Sequence, residues 1–382
     1  MKISQTKDIR ASNRLTILNH IISNQPVSRA EVSSKTGLNK ATVSTIVKEW
    51  IDMDLVTETE LGDSTGGRKP ILLQQIADAA YCIAIEISVT KIRVILCNLA
   101  NQLIQHEVLP IEEKGFTVNY CHLSSLLEKM IAQVPSSPYG IIGIGVSIWG
   151  VVDLDGVIRN IPQLQWRNID LKKLLEDRFG IPVYVNNDGN LAAMCEMKRH
   201  PEYADMVTLN IGDTISAGLV ANGQVIHGFL GFANALAHHT INFTEKTPCS
   251  CGKYGCWEQY CSNQVVIQKM NEHLDQPIHT IEEFIQLVRE ENPDAKEILE
   301  DFIQVLGVGI ANAIFILNSE VIILNSKIIS AFPYLLPEIE NHILLPITQT
   351  QEFLISDLGD YSSILGAADQ AIQRFYGELA NR

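Results

Sequence analysis

The amino-acid sequence predicts an α/β protein: an N-terminal winged helix-turn-helix followed by a larger body of alternating strands and helices. Three observations carry that reading. Ser28 and Glu31, then Gly37, then Asn39 follow one another at the spacing of two short capped helices joined by a tight turn. Beyond Tyr81, short apolar runs divided by glycines and polar turns alternate with helical periodicities, the texture of layered α/β domains. The charge is also divided along the chain. The 382 residues carry −15 overall, but residues 1–75 hold ten basic against eight acidic side chains, so the head is +2 and the remainder −17. A mildly basic head on a strongly acidic body confines any contact with nucleic acid to the head.

Within the head, Leu15, Leu18, Ile21 and Ile22 fall at helical spacing over residues 10–23, and Asn24-Gln25-Pro26 ends that helix. Ser28 caps the next helix, Glu31 completes a capping box, and Val32 supplies its buried face as far as Thr36. Gly37 makes the inter-helix turn. Asn39 then caps a third helix, 40–52, whose inward stripe is Val43, Ile46, Val47 and Trp50 or Ile51. Its first turn exposes Asn39, Lys40, Thr42, Ser44 and Thr45, residue types suited to base edges and phosphates in a major groove. Residues 55–57 and 70–73 can pair as a hairpin whose tip, Gly66-Gly67-Arg68-Lys69, forms a basic wing. The candidate contacts to double-stranded operator DNA are therefore Ser28, Arg29, Asn39, Lys40, Thr42, Ser44, Thr45, Arg68 and Lys69.

In the body, 82–87, 91–97 and 102–108 read as a strand meander, followed by a helix near 123–132 and a buried strand at 140–148. Strands at 183–185 and 206–211 and helices at 171–179 and 191–198 continue the alternation. A composition 46% hydrophobic and 19% charged excludes a disordered chain. No stretch of 18 or more uncharged apolar residues occurs, and Lys2, Lys7, Asp8 and Arg10 interrupt any signal-peptide core. The expectation is a cytoplasmic protein with no membrane partner. Of eight cysteines, Cys82, Cys97, Cys121 and Cys195 are scattered as packed thiols would be, whereas Cys249, Cys251, Cys256 and Cys261 are crowded together. Cys-x-Cys-Gly-x-x-Gly-Cys converges three soft donors, with two glycines permitting the tight backbone, and a thiolate-rich tetrahedral site favours Zn²⁺. Cys261 falls outside that motif.

Residues 28–38, 66–70, Asn187-Asp188-Gly189-Asn190, Ala237-His238 and the run from Cys249 through Cys256-Trp257-Glu258 together resemble the ROK family of repressors, open reading frames and kinases. The head, Ser136-Ser137-Pro138-Tyr139-Gly140 and Cys256-Trp257-Glu258 look most like the family's xylose repressors. The resemblance implies an actin-like, ribonuclease-H-like pair of lobes around a sugar cleft. It divides the chain into a head, 1–75, a first lobe, 76–190, completed by a C-terminal helix at 362–382, and a second lobe, 191–361, that carries the zinc site and the dimer interface. It implies a structural zinc held by Cys249, Cys251, Cys256 and His238. One extra residue between His238 and Cys249, relative to the common spacing, leaves His239 as the alternative ligand. It places Gln163, Asn187, Asp188, His238 and Glu258 against the sugar hydroxyls. It further implies a small-molecule sugar effector such as xylose, and a homodimer or homotetramer on operator DNA.

Whether the chain is an enzyme turns on three loops that bind nucleotide phosphates in the family's kinases. Asp-x-Gly-Gly-Thr appears as Glu86-Ile87-Ser88-Val89-Thr90, Thr-Gly-x-Gly-x-Gly as Asp213-Thr214-Ile215-Ser216-Ala217-Gly218, and a Gly-Gly pair as Asn325-Ser326. Phosphates need close approach to glycine backbone, and Asp213 would repel them. The expectation is a filled-in nucleotide pocket and no catalysis, although Asp188 keeps the position of a general base. On the sugar side Ala235, Gln163 and Trp149 depart from the family's usual glutamate, asparagine and proline.

Overall fold

The computed structural model describes residues 2–61, 71–244, 248–343 and 352–382. Three helices, Lys2–Asn24, Arg29–Thr36 and Lys40–Asp52, open the chain and enclose a small core of Ile17, Leu18, Ile21, Val32, Val43, Ile46, Val47 and Trp50. Their ends follow from their caps. Ser28 accepts from the Glu31 amide while the Glu31 carboxylate accepts from the Ser28 amide at 2.8 Å, and Asn39 accepts from the Thr42 amide at 2.8 Å. Between the two short helices, Gly37 takes the left-handed conformation, φ 70°. Strands Val56–Leu61 and Ile71–Gln75 pair antiparallel, and Val27–Ser28 adds a third strand on the far side of Ile71–Gln75. Arg68 and Lys69 lie outside the described residues.

The body holds two five-stranded sheets of one design. In the first the spatial order is Val183–Asn187, Ile141–Ile148, Tyr81–Ile87, Lys91–Asn98, Leu103–Pro110. The second runs Glu352–Ile355, Val321–Ser326, Met206–Ile211, Ile215–Ala221, Gln224–Val225. In both, the first three strands are mutually parallel, the fourth runs antiparallel to them, and the fifth pairs antiparallel with the fourth. Strand Tyr81–Ile87 is buried throughout because helices cover both faces. Tyr81, Ile83, Ile85 and Ile87 join Leu123 and Leu127 of the helix Phe116–Ala132, whereas Cys82 and Ala84 join Ala367, Ala368 and Ala371 of the C-terminal helix Ser362–Ala380.

The helix Pro293–Leu317 is long and apolar enough to cross a membrane, the one such helix among the described residues. Here its apolar face, Ile298, Phe302, Leu306, Ile310 and Ile314, packs into the core of the second sheet's lobe.

Two further helices link the parts. Asp188–Arg199 packs on strands Met206–Ile211 and Ile215–Ala221 and crosses the C-terminal helix. At the crossing the Gly366 Cα faces the Leu191 carbonyl, where a Cβ would sit 2.0 Å from that oxygen, so only glycine permits the approach. Lys198 and Asp369 close the other end of the contact at 2.6 Å. The head docks on the far end of the C-terminal helix. Arg14 donates to the Leu379 and Ala380 carbonyls at 3.3 and 3.0 Å, satisfying acceptors that a helix terminus leaves open. The same guanidinium pairs with Glu49 at 3.0 Å, and the Trp50 indole donates to the Arg14 carbonyl. Gln75 donates to the Tyr376 hydroxyl at 2.7 Å, and Tyr139 donates to the Met53 carbonyl at 2.8 Å. Head and C-terminal helix thus share one continuous hydrophobic core.

Candidate functional site

At the start of the helix Asp188–Arg199 the backbone amides of Gly189 and Asn190 converge on the Asn187 side-chain oxygen, at 2.9 and 3.3 Å, because Asn187 is the N-cap. Its amide group donates to the Gly150 carbonyl and to Asp188, both at 2.9 Å. Asn234, which the sequence reading did not single out, donates to the Asn187 oxygen at 2.5 Å and to Asn190 at 3.2 Å. Asn187 therefore lines the cleft with both amide protons already engaged.

Asp188 is 5% exposed. Burial pushes its carboxyl up to about 7, with Glu86 adding to the shift and a hydrogen bond from Ser216 opposing it. Glu258 is buried too; burial raises its pKa while the Ile215 amide donates to it at 3.2 Å. Gln163, Asn187, Asp188, His238 and Glu258 all line one pocket of about 280 Å³, with Trp149 on its wall. The five sugar-site candidates, drawn from segments up to 95 residues apart, are brought together.

Alongside this pocket lies a larger cavity of about 600 Å³, and Trp149, Asp188, Thr214 and Ser216 wall both. All three altered loops, represented by Glu86, Ser88, Asp213, Asn325 and Ser326, border it. The expectation of a filled-in pocket is thus corrected: replacing glycines changed the lining and left the space. Polar side chains there bond one another. Arg93 pairs with Glu86 at 2.5 Å, and the Ser363 hydroxyl donates to Glu86 at 2.6 Å. The Ser88 hydroxyl donates to the Lys91 carbonyl at 2.9 Å, closing that turn. Asn325 donates to Asn210, Ser362 and the Gly359 carbonyl at 3.0, 3.0 and 2.8 Å. Burial also raises the pKa of Asp213.

His238, Cys249, Cys251 and Cys256 present ligand atoms all within 4.8 Å of one another. Cys249 Sγ is 3.5 Å from His238 Nδ1 and Cys251 Sγ is 3.6 Å from Cys256 Sγ. Gly252 and Gly255 have φ of 87° and 68°, and a Cβ on Gly255 would lie 1.7 Å from the Asn242 carbonyl, so the turn that gathers the thiols requires them. His239 is turned elsewhere: its Nδ1 meets the Leu236 carbonyl and its ring lies 5.3 Å from Trp257. Three sulfurs and one imidazole at this separation fit a tetrahedral soft-metal site. Cys261 is fully buried and donates to the Trp257 carbonyl.

On the head, Asn39, Lys40, Ser44 and Thr45 are exposed and Thr42 is half-buried at the start of the helix Lys40–Asp52. Ser28 differs from expectation. It is 5% exposed, its hydroxyl is spent on the capping box, and it offers no surface contact. Arg29, half-buried, is engaged by Glu58 at 2.5 Å.

The ROK family model matches residues 82–374. The chain belongs to the ROK family. It is 30% identical over 384 residues to the xylose repressor of Bacillus subtilis (strain 168), covering 98% of each chain. A solved ROK family transcriptional regulator, a homologue of the Escherichia coli MLC protein, superposes with TM-score 0.78 at 24% identity over 97% of this chain and 98% of that one. A ROK family glucokinase from Streptomyces griseus, solved with glucose and AMPPNP, superposes at 0.66 with 20% identity, covering 99% of its own length but 77% of this one. The ROK body is thus shared with kinases, and the match extends over nearly the whole chain in the regulator.

Proposed function

We propose that this ROK protein is a sugar-responsive transcriptional repressor that binds operator DNA and catalyses no reaction. The observation that carries the reading is mechanical. The helix that begins at Asn187-Asp188 in the cleft touches the C-terminal helix at Gly366, and Arg14 of the head holds the other end of that helix. A sugar that prefers one lobe closure acts on the first helix, and its effect on DNA affinity equals its preference between closures, typically ~1–3 kcal/mol.

Within this reading the head is a winged helix-turn-helix. Asn39, Lys40, Thr42, Ser44 and Thr45 meet the major groove, and Arg68 and Lys69 serve as the wing. Asp188, Glu258, His238 and Gln163 hold sugar hydroxyls, and Asn187 positions Asp188. Zn²⁺ is structural, held by Cys249, Cys251, Cys256 and His238. Its ligand loop leads directly into Glu258, so the metal when bound fastens that loop, and the site keeps no open position for chemistry. A homodimer, or a tetramer built from it, matches a two-fold operator; Val308, Phe315 and Ile316, exposed on one face of the helix Pro293–Leu317, support self-association through the second lobe. The protein works in the cytoplasm, where its DNA is.

Mobility shift on the protein's own promoter, repeated across a panel of pentoses and hexoses, tests the proposal: specific binding that at least one sugar alters supports it, and binding indifferent to every sugar leaves an effector-independent regulator. One observation favours a kinase as second reading. Asp188, with a pKa near 7, borders a cavity large enough for a nucleotide. ADP formation with any sugar of the panel would establish that alternative.

A further inference from the structure

Two chambers where one sugar ring needs only one pose a question of ligand size. The smaller, about 280 Å³, lies at the lower edge of the ~300–1,000 Å³ common for ligand pockets, enough for a single ring. The larger, about 600 Å³, adjoins it across Trp149, Asp188, Thr214 and Ser216, which line both.

Its chemistry disfavours an anion. Five carboxyl residues, Glu86, Asp188, Asp213, Asp357 and Asp360, line it against three basic ones; Arg93 is tied to Glu86 and Lys327 to Glu282 and Asp360, Asp357 is tied to Arg199, and Lys91 is the cation without an ion pair among the described lining residues. What remains is a wall of hydroxyls and carboxamides, including Ser216, Ser330 and Asn325. Two polar groups on that wall are unmet: the Trp149 indole N–H and the Asn263 side-chain oxygen are buried with no partner. Asn263 is itself 5% exposed. Buried donors and acceptors are almost always satisfied, and a ligand that turns either side chain toward the cavity supplies the partner it lacks. An indole beside hydroxyl-lined space also offers the flat apolar surface that the C–H face of a sugar ring covers.

We propose that the effector is a neutral disaccharide, one ring in the smaller chamber and the second beyond Trp149 in the larger, with Trp149 and Asn263 setting the specificity for that second ring. The proposal rests on the reading of the smaller chamber as a sugar site and extends it.

Titration calorimetry of the full-length protein tests it, using xylobiose, cellobiose, maltose and sucrose, their component monosaccharides, and AMPPNP. At least one disaccharide should bind ten-fold or more tightly than either of its components. Trp149→Ala should lower the ratio of disaccharide to monosaccharide affinity at least ten-fold. Should Trp149→Ala fail to fold, Ser330→Trp, at an exposed position on the rim, fills the larger chamber and should lower the same ratio. A monosaccharide bound as tightly as every disaccharide overturns the proposal and leaves the sugar-responsive repressor standing. AMPPNP binding in the larger chamber, lost in Ser330→Trp, also overturns it. No binding by any carbohydrate removes both this inference and the sugar response on which it rests.

Discussion

Asp188 holds a proton that an exposed aspartate would lose. Its pKa near 7 stands above the ordinary 3.8, so between about pH 4 and pH 7 the folded chain keeps a proton that the unfolded chain has released. Folding stability from this group therefore falls as pH rises through that window, by as much as ~4 kcal/mol. Asp188→Asn should flatten that fall, and melting temperatures of the two proteins from pH 5 to pH 8 measure it: the gap should widen in favour of the variant toward pH 8. On the head, Lys40→Ala should weaken operator binding across sequences alike and reduce the slope of log affinity against log salt by about one, as loss of a single phosphate contact does; fluorescence anisotropy at several salt concentrations reads both. The identity of the cleft residues was legible because carboxylates and amides cluster in short motifs. Which of two neighbouring histidines turns toward the thiols was not, since that depends on the 3-10 turn Ala235–His238 and not on residue type. Ser28 shows the same limit: a capping serine and a surface serine look alike in sequence, and only the strand pairing of Val27–Ser28 with Leu72 and Leu73 buries it.

Elements with strong caps were read closely. The helix Lys40–Asp52 has the bounds that Asn39 and its apolar stripe implied, and Met206–Ile211 matches the apolar run between polar turns. The helix expected near 123–132 begins earlier, at Phe116, because Phe116 packs edge-on against Trp166, 5.0 Å away, a contact from a distant strand that local periodicity does not report. The loop from Pro248 to Cys256 is the least self-sufficient element. It has two left-handed glycines and little regular structure, so its shape depends on what joins its thiols. Chelation with a strong zinc ligand, or Cys256→Ser, should lower the melting temperature by several degrees and weaken sugar binding, with little effect on operator affinity at low temperature. Metal content by mass spectrometry, paired with thermal melts, checks the first part; a sugar titration checks the second.

For the whole molecule, the paired lobes came from the family resemblance, while local periodicity did not report the repeated strand order of the two sheets. The second copy is divided by the long segment between Val225 and Val321, and its outer strand, Gln224–Val225, is two residues long. The fold class itself was legible from the alternation of strands and helices and from the caps of the head. Self-association belongs to this scale: Phe315 and Ile316, each 65% exposed, should lie between subunits, so Phe315→Glu should yield a monomer by light scattering with at least ten-fold weaker operator binding. In the proposed mechanism the cleft and the head communicate through the C-terminal helix. Operator affinity measured with and without the effector, in the wild-type protein and in Arg14→Ala, is the decisive comparison. The wild type should change several-fold on adding the sugar. Arg14→Ala, less stable but folded at low temperature, should bind the sugar with unchanged affinity yet show little change in operator affinity on adding it. An Arg14→Ala protein that keeps the full sugar response would contradict the account.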